Sequence, residues 1–275
     1  MKKNFVLGLI ALQIVVITGL VIAQTEEPRF RRMDYYSWKE FAAVVPESVN
    51  TVILPVGTQE AHGVVANGAD ALVPERLAEM VAPEANCLIA PTIHYGLTTS
   101  LAAYPGGFAI SRDTFKQYCK ETVAGLATCG FKNIIIFNGH GPNRAPLNEV
   151  AAEVSMKKGV RILVVDWWSY CADITQEIWG PDENGGHAGL NENAAVQAVN
   201  PEFARPDLYN KEMAVTNNAA YTAYPNAGTI LLYADGKGYP DFDQAKADLY
   251  LKRIAEELTK LIVETRTKWD NAAVF

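Results

Sequence analysis

An α/β fold on a mostly parallel, buried sheet is the architecture this chain predicts, and three observations predict it. Short apolar runs of strand length recur at 51–56 (TVILPV), 133–137 (NIIIF) and 161–165 (RILVV). Helix-period segments alternate with them, the order expected of a sheet covered on both faces. Gly-flanked polar segments follow the first two runs directly, where open α/β sheets place their ligands.

Composition sets the outer bounds. The chain has 275 residues, 49% of them hydrophobic and 20% charged, which excludes a wholly disordered protein and makes one domain the default. A net charge of −7 argues against a nucleic-acid partner, because phosphate recognition needs a basic footprint; the acidity reads mainly as solubility.

In chain order, Lys2 and Lys3 precede 19 uncharged residues at 5–23 that end in Val-Ile-Ala. This pattern is read as a signal peptide at 1–23, cleaved after Ala23, so the mature protein is exported, periplasmic or secreted. An uncleaved anchor is the alternative, since the run nearly spans a bilayer. No later stretch reaches that length, so no membrane insertion is expected once the signal is removed. Residues 24–35 read as a polar lead-in, and 24–275 as a single domain.

The run at 51–56 is read as a buried strand ended by Gly57, and 74–81 (PERLAEMV) as a helix with Pro74 in its first turn. Residues 87–91 (CLIAP) form a second candidate strand. The amphipathic segment 113–129 predicts a helix stopped at Gly130. Residues 133–137 give the clearest buried strand, 145–157 the next helix, 161–165 another buried strand, and 243–268 a long closing helix. Residues 171–187 and 214–242 read as irregular, Gly-, Asn- and Pro-rich candidate pocket walls. Cys119 and Cys129 lie ~15 Å apart if they share one helix, beyond disulfide reach; with Cys87 and Cys171 they are read as buried free thiols.

Three of the four histidines sit in polar, Gly-flanked segments: His62 in 57–63 (GTQEAHG), His140 in 138–143 (NGHGPN) and His187 in 185–189 (GGHAG). Glu60 and His62 stand two apart, so an extended backbone turns both to one side. With Asp70 and His140 they make a mixed N/O donor set suited to Zn²⁺ or Mn²⁺ and unlike a thiolate site. A carboxylate shared by two ions would form a dinuclear hydrolytic centre. Taken singly, each of these residues is more often a solvated or hydrogen-bonded side chain; the joint pattern points to a metal. His94 is read as a packed or pocket-wall residue. In 167–170 (WWSY) one Trp is expected in the core and the other on a pocket wall, because strand neighbours face opposite sides.

Together, residues 55–63, 68–70, 95–96, 105–107, 138–143 and 187–192 resemble, in order and spacing, the motifs of the creatininase (creatinine amidohydrolase) family. That resemblance implies a three-layer α/β/α sandwich and a metal-dependent amidohydrolase with two divalent ions, Zn or Mn. It implies the ligands Glu60, His62, Asp70 and His140, with Asp70 as the bridge. Creatininase takes a further Glu two residues after its motif histidine; Pro142 stands there, and Glu192 is the expected replacement. His187 matches the proton-transfer histidine, expected to protonate the leaving nitrogen after attack by metal-activated water. Trp168, Tyr95 and Asn143 are the implied substrate contacts, and a homo-oligomer, a ring-shaped hexamer in the family's manner, is the implied assembly.

The chain also departs from the pattern. Gly141 replaces a Tyr, Glu183 falls where a second pocket Trp is expected, and Leu101 and Gly107 replace a His and a Thr. The ligands are kept while the substrate wall changes, so a small cyclic or linear amide other than creatinine is expected. A formamide, a peptide or an oxidised cyclitol are alternatives within the family. A non-catalytic exported metal- or solute-binding protein is the alternative outside enzymes, as is an anchored envelope interaction protein.

Overall fold

The computed structural model describes residues 28–218 and 220–275. The signal peptide expected at 1–23 lies outside the described residues. In chain order the elements are α1 (Trp38–Val44), β1 (Thr51–Val56), α2 (Ala69–Glu84), β2 (Leu88–Ile89), α3 (Arg112–Thr128), β3 (Asn133–Asn138), α4 (Arg144–Lys158) and β4 (Arg161–Asp166). Then come α5 (Trp167–Tyr170), α6 (Ala172–Trp179), β5 (Gly186–His187), α7 (Leu190–Val199), β6 (Ala214–Thr216), β7 (Ile230–Leu232) and α8 (Gln244–Asn271), with short 3₁₀ turns between some of them.

The central sheet is parallel throughout, in the order β2-β1-β3-β4. Alternation along its strands divides two cores. Ile53, Ile135, Phe137 and Val165 face a layer from α2, α7 and α8, whereas Val52, Leu54, Val56, Ile134 and Ile136 face α3 and α4. The result is the three-layer α/β/α sandwich. Two-sided burial explains why β1 and β3 read as unbroken apolar runs rather than as alternating ones. β4 is an edge strand and only partly buried, which corrects its reading as a buried one.

Side chains cap the long helices where the chain turns. Ser111 accepts from Thr114 N at the start of α3, and Asp243 from Lys246 N at the start of α8. α2 departs most from expectation. It begins at Ala69, behind Gly68 with no side-chain cap, so Pro74 lies inside the helix rather than in its first turn.

Registry places the site. Val56 pairs with Asn138 and Asn138 with Asp166, so three parallel strands end level and their following segments converge on one edge. Residues 171–187 are not irregular as expected: they contain α6, and β5 joins a second sheet, in the order β5-β7-β6. His187 lies opposite Leu231 in that sheet, which holds it over the strand ends. The Trp pair also corrects its rationale, since Trp167 and Trp168 lie in the one-turn α5 and not on a strand; Trp167 is buried and Trp168 partly so. Cys87, Cys119 and Cys171 are free and buried, and burial pushes each thiol up to about 12. Cys129 is free but exposed, against expectation. No helix among the described residues is long and apolar enough to cross a membrane.

Candidate metal centre

Two glycines let the site assemble. Backbone atoms of Asp70 lie where Gly57 and Gly139 would carry a side chain: a Cβ would fall 2.4 Å from Asp70 O at Gly57 and 1.9 Å from it at Gly139. The start of α2 therefore rests directly on the ends of β1 and β3, and Asp70 enters beneath the two strand-end loops. Pro74, four residues on, has no N–H to bond Asp70 O, so this carbonyl lacks its usual helical partner.

Around Asp70 the polar side chains converge. Asp70 Oδ1 lies 3.0 Å from His62 Nε2, and Oδ2 lies 2.7 Å from His140 Nδ1. Glu60 Oε1 is 3.3 Å from His140 Nδ1 and 3.4 Å from His187 Nδ1. Glu192, in the first turn of α7, accepts from Ala188 N at 2.7 Å and stands 3.7 Å from His62 Nε2. Two groups of donor atoms lie within 4.8 Å of one another: Glu60, His62 and His187, and Glu60, Asp70 and His140. The six residues proposed as ligands or proton carrier thus meet at one place, although Glu192 joins neither three-residue group.

The outer nitrogens of the histidines decide what the inner ones can be. His140 Nε2 donates to Leu97 O (2.7 Å), His187 Nε2 to Ala61 O (2.7 Å) and His62 Nδ1 to Glu60 O (3.1 Å). A carbonyl only accepts, so each outer nitrogen carries the hydrogen, and in the neutral ring the inner nitrogen presents a lone pair to a carboxylate. Such an arrangement needs a positive charge. It is also the way metal-binding histidines are held, with the second N–H tied to a carbonyl. Asp70 Oδ2, buried, receives no aligned hydrogen bond. The donors present therefore fit a divalent cation.

Without a metal, protons supply the charge. Burial opposes ionising His62, yet Asp70, Glu192 and Glu60 outweigh it and bring it up to about 10. His140, likewise buried but facing Asp70 and Glu60, rises to about 9. Burial also acts on Asp70, but the two histidines hold it well below the usual carboxylate range. Burial raises Glu60 and Glu192. His187 falls to about 3, through burial and the adjacent His62, whose ring centroid is 4.2 Å away.

A cavity of about 350 Å³ opens over this cluster, walled by Trp168, Arg144, Leu101, Tyr233, Asn217 and the backbone of Gly141, among others. A Cβ at Gly141 would meet nothing within 4 Å, so the missing Tyr leaves room there. Trp168 lines the cavity, whereas Tyr95 and Asn143 are not among its walls. Tyr95 is half-exposed and packs against Phe108. Asn143 is buried, with Oδ1 accepting from Leu97 N and Nδ2 donating to Gly57 O, so its amide ties loops together. His94 is exposed rather than packed, and Glu183 accepts from Gly238 N, away from the cavity. Arg144 and Tyr233 were not anticipated as wall residues. Tyr233 at least falls in 214–242, the stretch read as a candidate wall.

Comparison with known proteins agrees with the fold. The family model described as creatinine amidohydrolase matches residues 34–262. A 3-dehydro-scyllo-inosose hydrolase of Thermotoga maritima is 31% identical over 164 residues, 55% of this chain and 51% of the hydrolase. The match therefore spans about half of that relative's length. The creatinine amidohydrolase of Pseudomonas putida is 24% identical over 188 residues, 62% of this chain and 72% of that enzyme. A crystal structure of creatininase superposes with a TM-score of 0.75 at 20% identity, covering 86% of this chain and 98% of that one. Other matching structures include a mutant creatininase of Zn-Zn type and a Mn creatininase.

Proposed function

The chain belongs to the creatininase family, and on that premise we propose that it is a hydrolase holding two divalent cations, zinc or manganese, and cleaving a C–N bond of a small cyclic or linear amide. The observation that carries this reading is the division of Asp70: one oxygen faces the inner nitrogen of His62 and the other that of His140. Glu60, Asp70 and His140 would hold one ion, and His62, Asp70 and Glu192 the other. Bound ions of this kind lower the pKa of water and polarise a carbonyl.

The chain's own groups do the rest. Ala61 O fixes the His187 ring so that Nδ1 faces the site between Glu60 and Glu192. With Nε2 committed to Ala61 O, Nδ1 is the nitrogen that would take a proton released during attack and pass it to the leaving nitrogen. Trp168 and Leu101 give the cavity apolar walls against which a flat ring can lie.

A second reading within the family, opening of an oxidised cyclitol, is supported by the similarity to the inosose hydrolase and by Thr99, Ser100, Asn217 and Tyr233 on the wall. The test is metal analysis, then screening an amide library and oxidised cyclitols with and without chelator. Chelator-sensitive release of an amine or ammonia supports the first reading; turnover of cyclitols alone supports the second. Metal binding with no turnover of either would leave the non-catalytic alternative. We further propose that residues 24–275 act as one exported domain in a hexamer. Mass spectrometry of the mature chain should find Gln24 first, and light scattering should find the oligomer.

A further inference from the structure

A second cavity of about 340 Å³ adjoins the first and shares Arg144, Trp168 and Tyr233 with it. Its other walls are uncharged and mostly polar, among them Ser169, Gln176, Asn184 and Asn191, and no Asp or Glu lines it. Arg144 is its one charged side chain. The Arg144 Nε donates to Asp166, whose other oxygen accepts from Asn138 Nδ2. This anchor sets the guanidinium plane and engages only one nitrogen; the two terminal nitrogens have no hydrogen-bond partner among the described residues. A guanidinium held this way presents parallel donors that a carboxylate fills in bidentate fashion. The carboxylates of Glu60, Asp70 and Glu192 line the first cavity and none lines the second, so an anionic arm has a reason to extend into the second beside Arg144.

We propose that the second cavity is a subsite for a carboxylate-bearing arm, so that the molecule cleaved is an anionic amide whose carboxylate is held by the terminal nitrogens of Arg144. This rests on the reading of Asp70 and its neighbours as a metal centre and adds the substrate class. Because Asp166 already offsets part of the charge, the preference for an anion should be moderate.

Matched metal-chelating probes test it without knowledge of the substrate. The zinc-loaded protein is titrated calorimetrically with N-hydroxysuccinamic acid and with its neutral terminal amide, and with the malonyl and glutaryl homologues of both. At one chain length or more, the acid should bind about tenfold or more tightly than its amide, the size of a charge-assisted hydrogen bond. The ratio should fall to near unity in Arg144→Gln and to an intermediate value in Arg144→Lys, which keeps charge but not the fork. Zinc content and thermal unfolding of each variant report its folding, and the wild-type ratio stands independently of both. A wild-type ratio near unity at every length, or one that persists in Arg144→Gln, overturns the subsite while leaving the metal centre intact. Failure of acetohydroxamate and all six probes to bind overturns the metal centre, and the subsite falls with it.

Discussion

His140 Nδ1 lies 2.7 Å from Asp70 Oδ2 while its Nε2 is committed to Leu97 O, so the neutral ring turns a lone pair toward a buried carboxylate and needs a cation or a proton between them. Asp70 meets His62 in the same way through its other oxygen. One carboxylate thus serves two imidazoles, and removing it should empty both positions. Purified wild-type protein should carry about two divalent cations per chain, as expected of a dinuclear centre, and Asp70→Ala should retain neither. Elemental analysis after gel filtration checks this. A full complement in Asp70→Ala would remove Asp70 from the bridge.

The glycines under Asp70 make a second expectation. Gly139→Ala drives a Cβ to 1.9 Å from Asp70 O, where the rigid backbone of α2 must yield. Overpacking of this kind costs about 1–3 kcal/mol and should lower metal affinity as well, because Asp70 is displaced with its helix. Gly141→Ala, whose Cβ meets nothing, should stay within ~0.5 kcal/mol. Urea unfolding of both variants measures the contrast; equal losses would mean that contact with Asp70 is not what requires glycine at 139.

How legible all this is in the sequence depends on what kind of interaction sets each feature. β1, β3, α3 and α4 were readable within a residue or two, because two-sided burial leaves unbroken apolar runs and periodic helices between them. The start of α2 was not, because Gly68 provides no capping side chain and Pro74 resembles a first-turn proline. The convergence of Glu60, His62 and His140 was legible because Gly-flanked polar segments follow β1 and β3, whereas Asp70 enters from the first turn of α2. Arg144 was not: it is the first residue of α4, and nothing local shows that its guanidinium reaches across to Asp166 at the end of β4. Tyr233 comes to the cavity through pairing of β7 with β5, a contact 46 residues away in the chain that no local pattern encodes. Asn143 shows the converse, a motif residue whose amide bonds Leu97 N and Gly57 O and so ties its loops together.

Stability of the chelated protein should fall with rising pH. His62 and His140 are raised to about 10 and 9 in the fold, against an ordinary value near 6.5 when unfolded. The folded state therefore binds more protons between these limits. The associated stability is fully present below about pH 6.5 and is lost as pH rises through 9 and then 10. The metal-loaded protein should respond in the opposite sense over the lower part of this range, because ligands must shed protons to bind a cation. Thermal unfolding from pH 6.5 to 10, with and without chelator, should show two divergent curves. A flat curve for the chelated protein would show that the histidines are not charged in the metal-free site.

His187 is placed to separate holding a metal from using it. Its ring belongs to the same donor group as Glu60 and His62, so geometry alone allows it to be a third ligand there. Its role as proton carrier predicts otherwise. His187→Ala should keep its cations and its fold while losing ~10²–10⁴ in kcat, the range general acid–base catalysis supplies. His140→Ala should lose both metal and activity, since Asp70 and Glu60 would retain no imidazole at that position. Glu192→Ala tests the remaining carboxylate. A ligand lost there should empty the His62 position, whereas a carboxylate that only supports the shell should weaken metal affinity by about 10–100-fold. The strained backbone beside it sharpens the reading: Ala188 has φ +54 and donates its N–H to Glu192, so the turn that presents His187 is itself held by that carboxylate. Glu192→Ala should therefore disturb His187 as well, and Glu192→Gln, which keeps an acceptor for Ala188 N, should restore the turn but not the charge. Measuring kcat and metal content together on all four variants decides among these roles, once a substrate has been found. If His187→Ala loses metal in proportion to activity, His187 is a ligand; if it loses neither, it only packs between its flanking glycines.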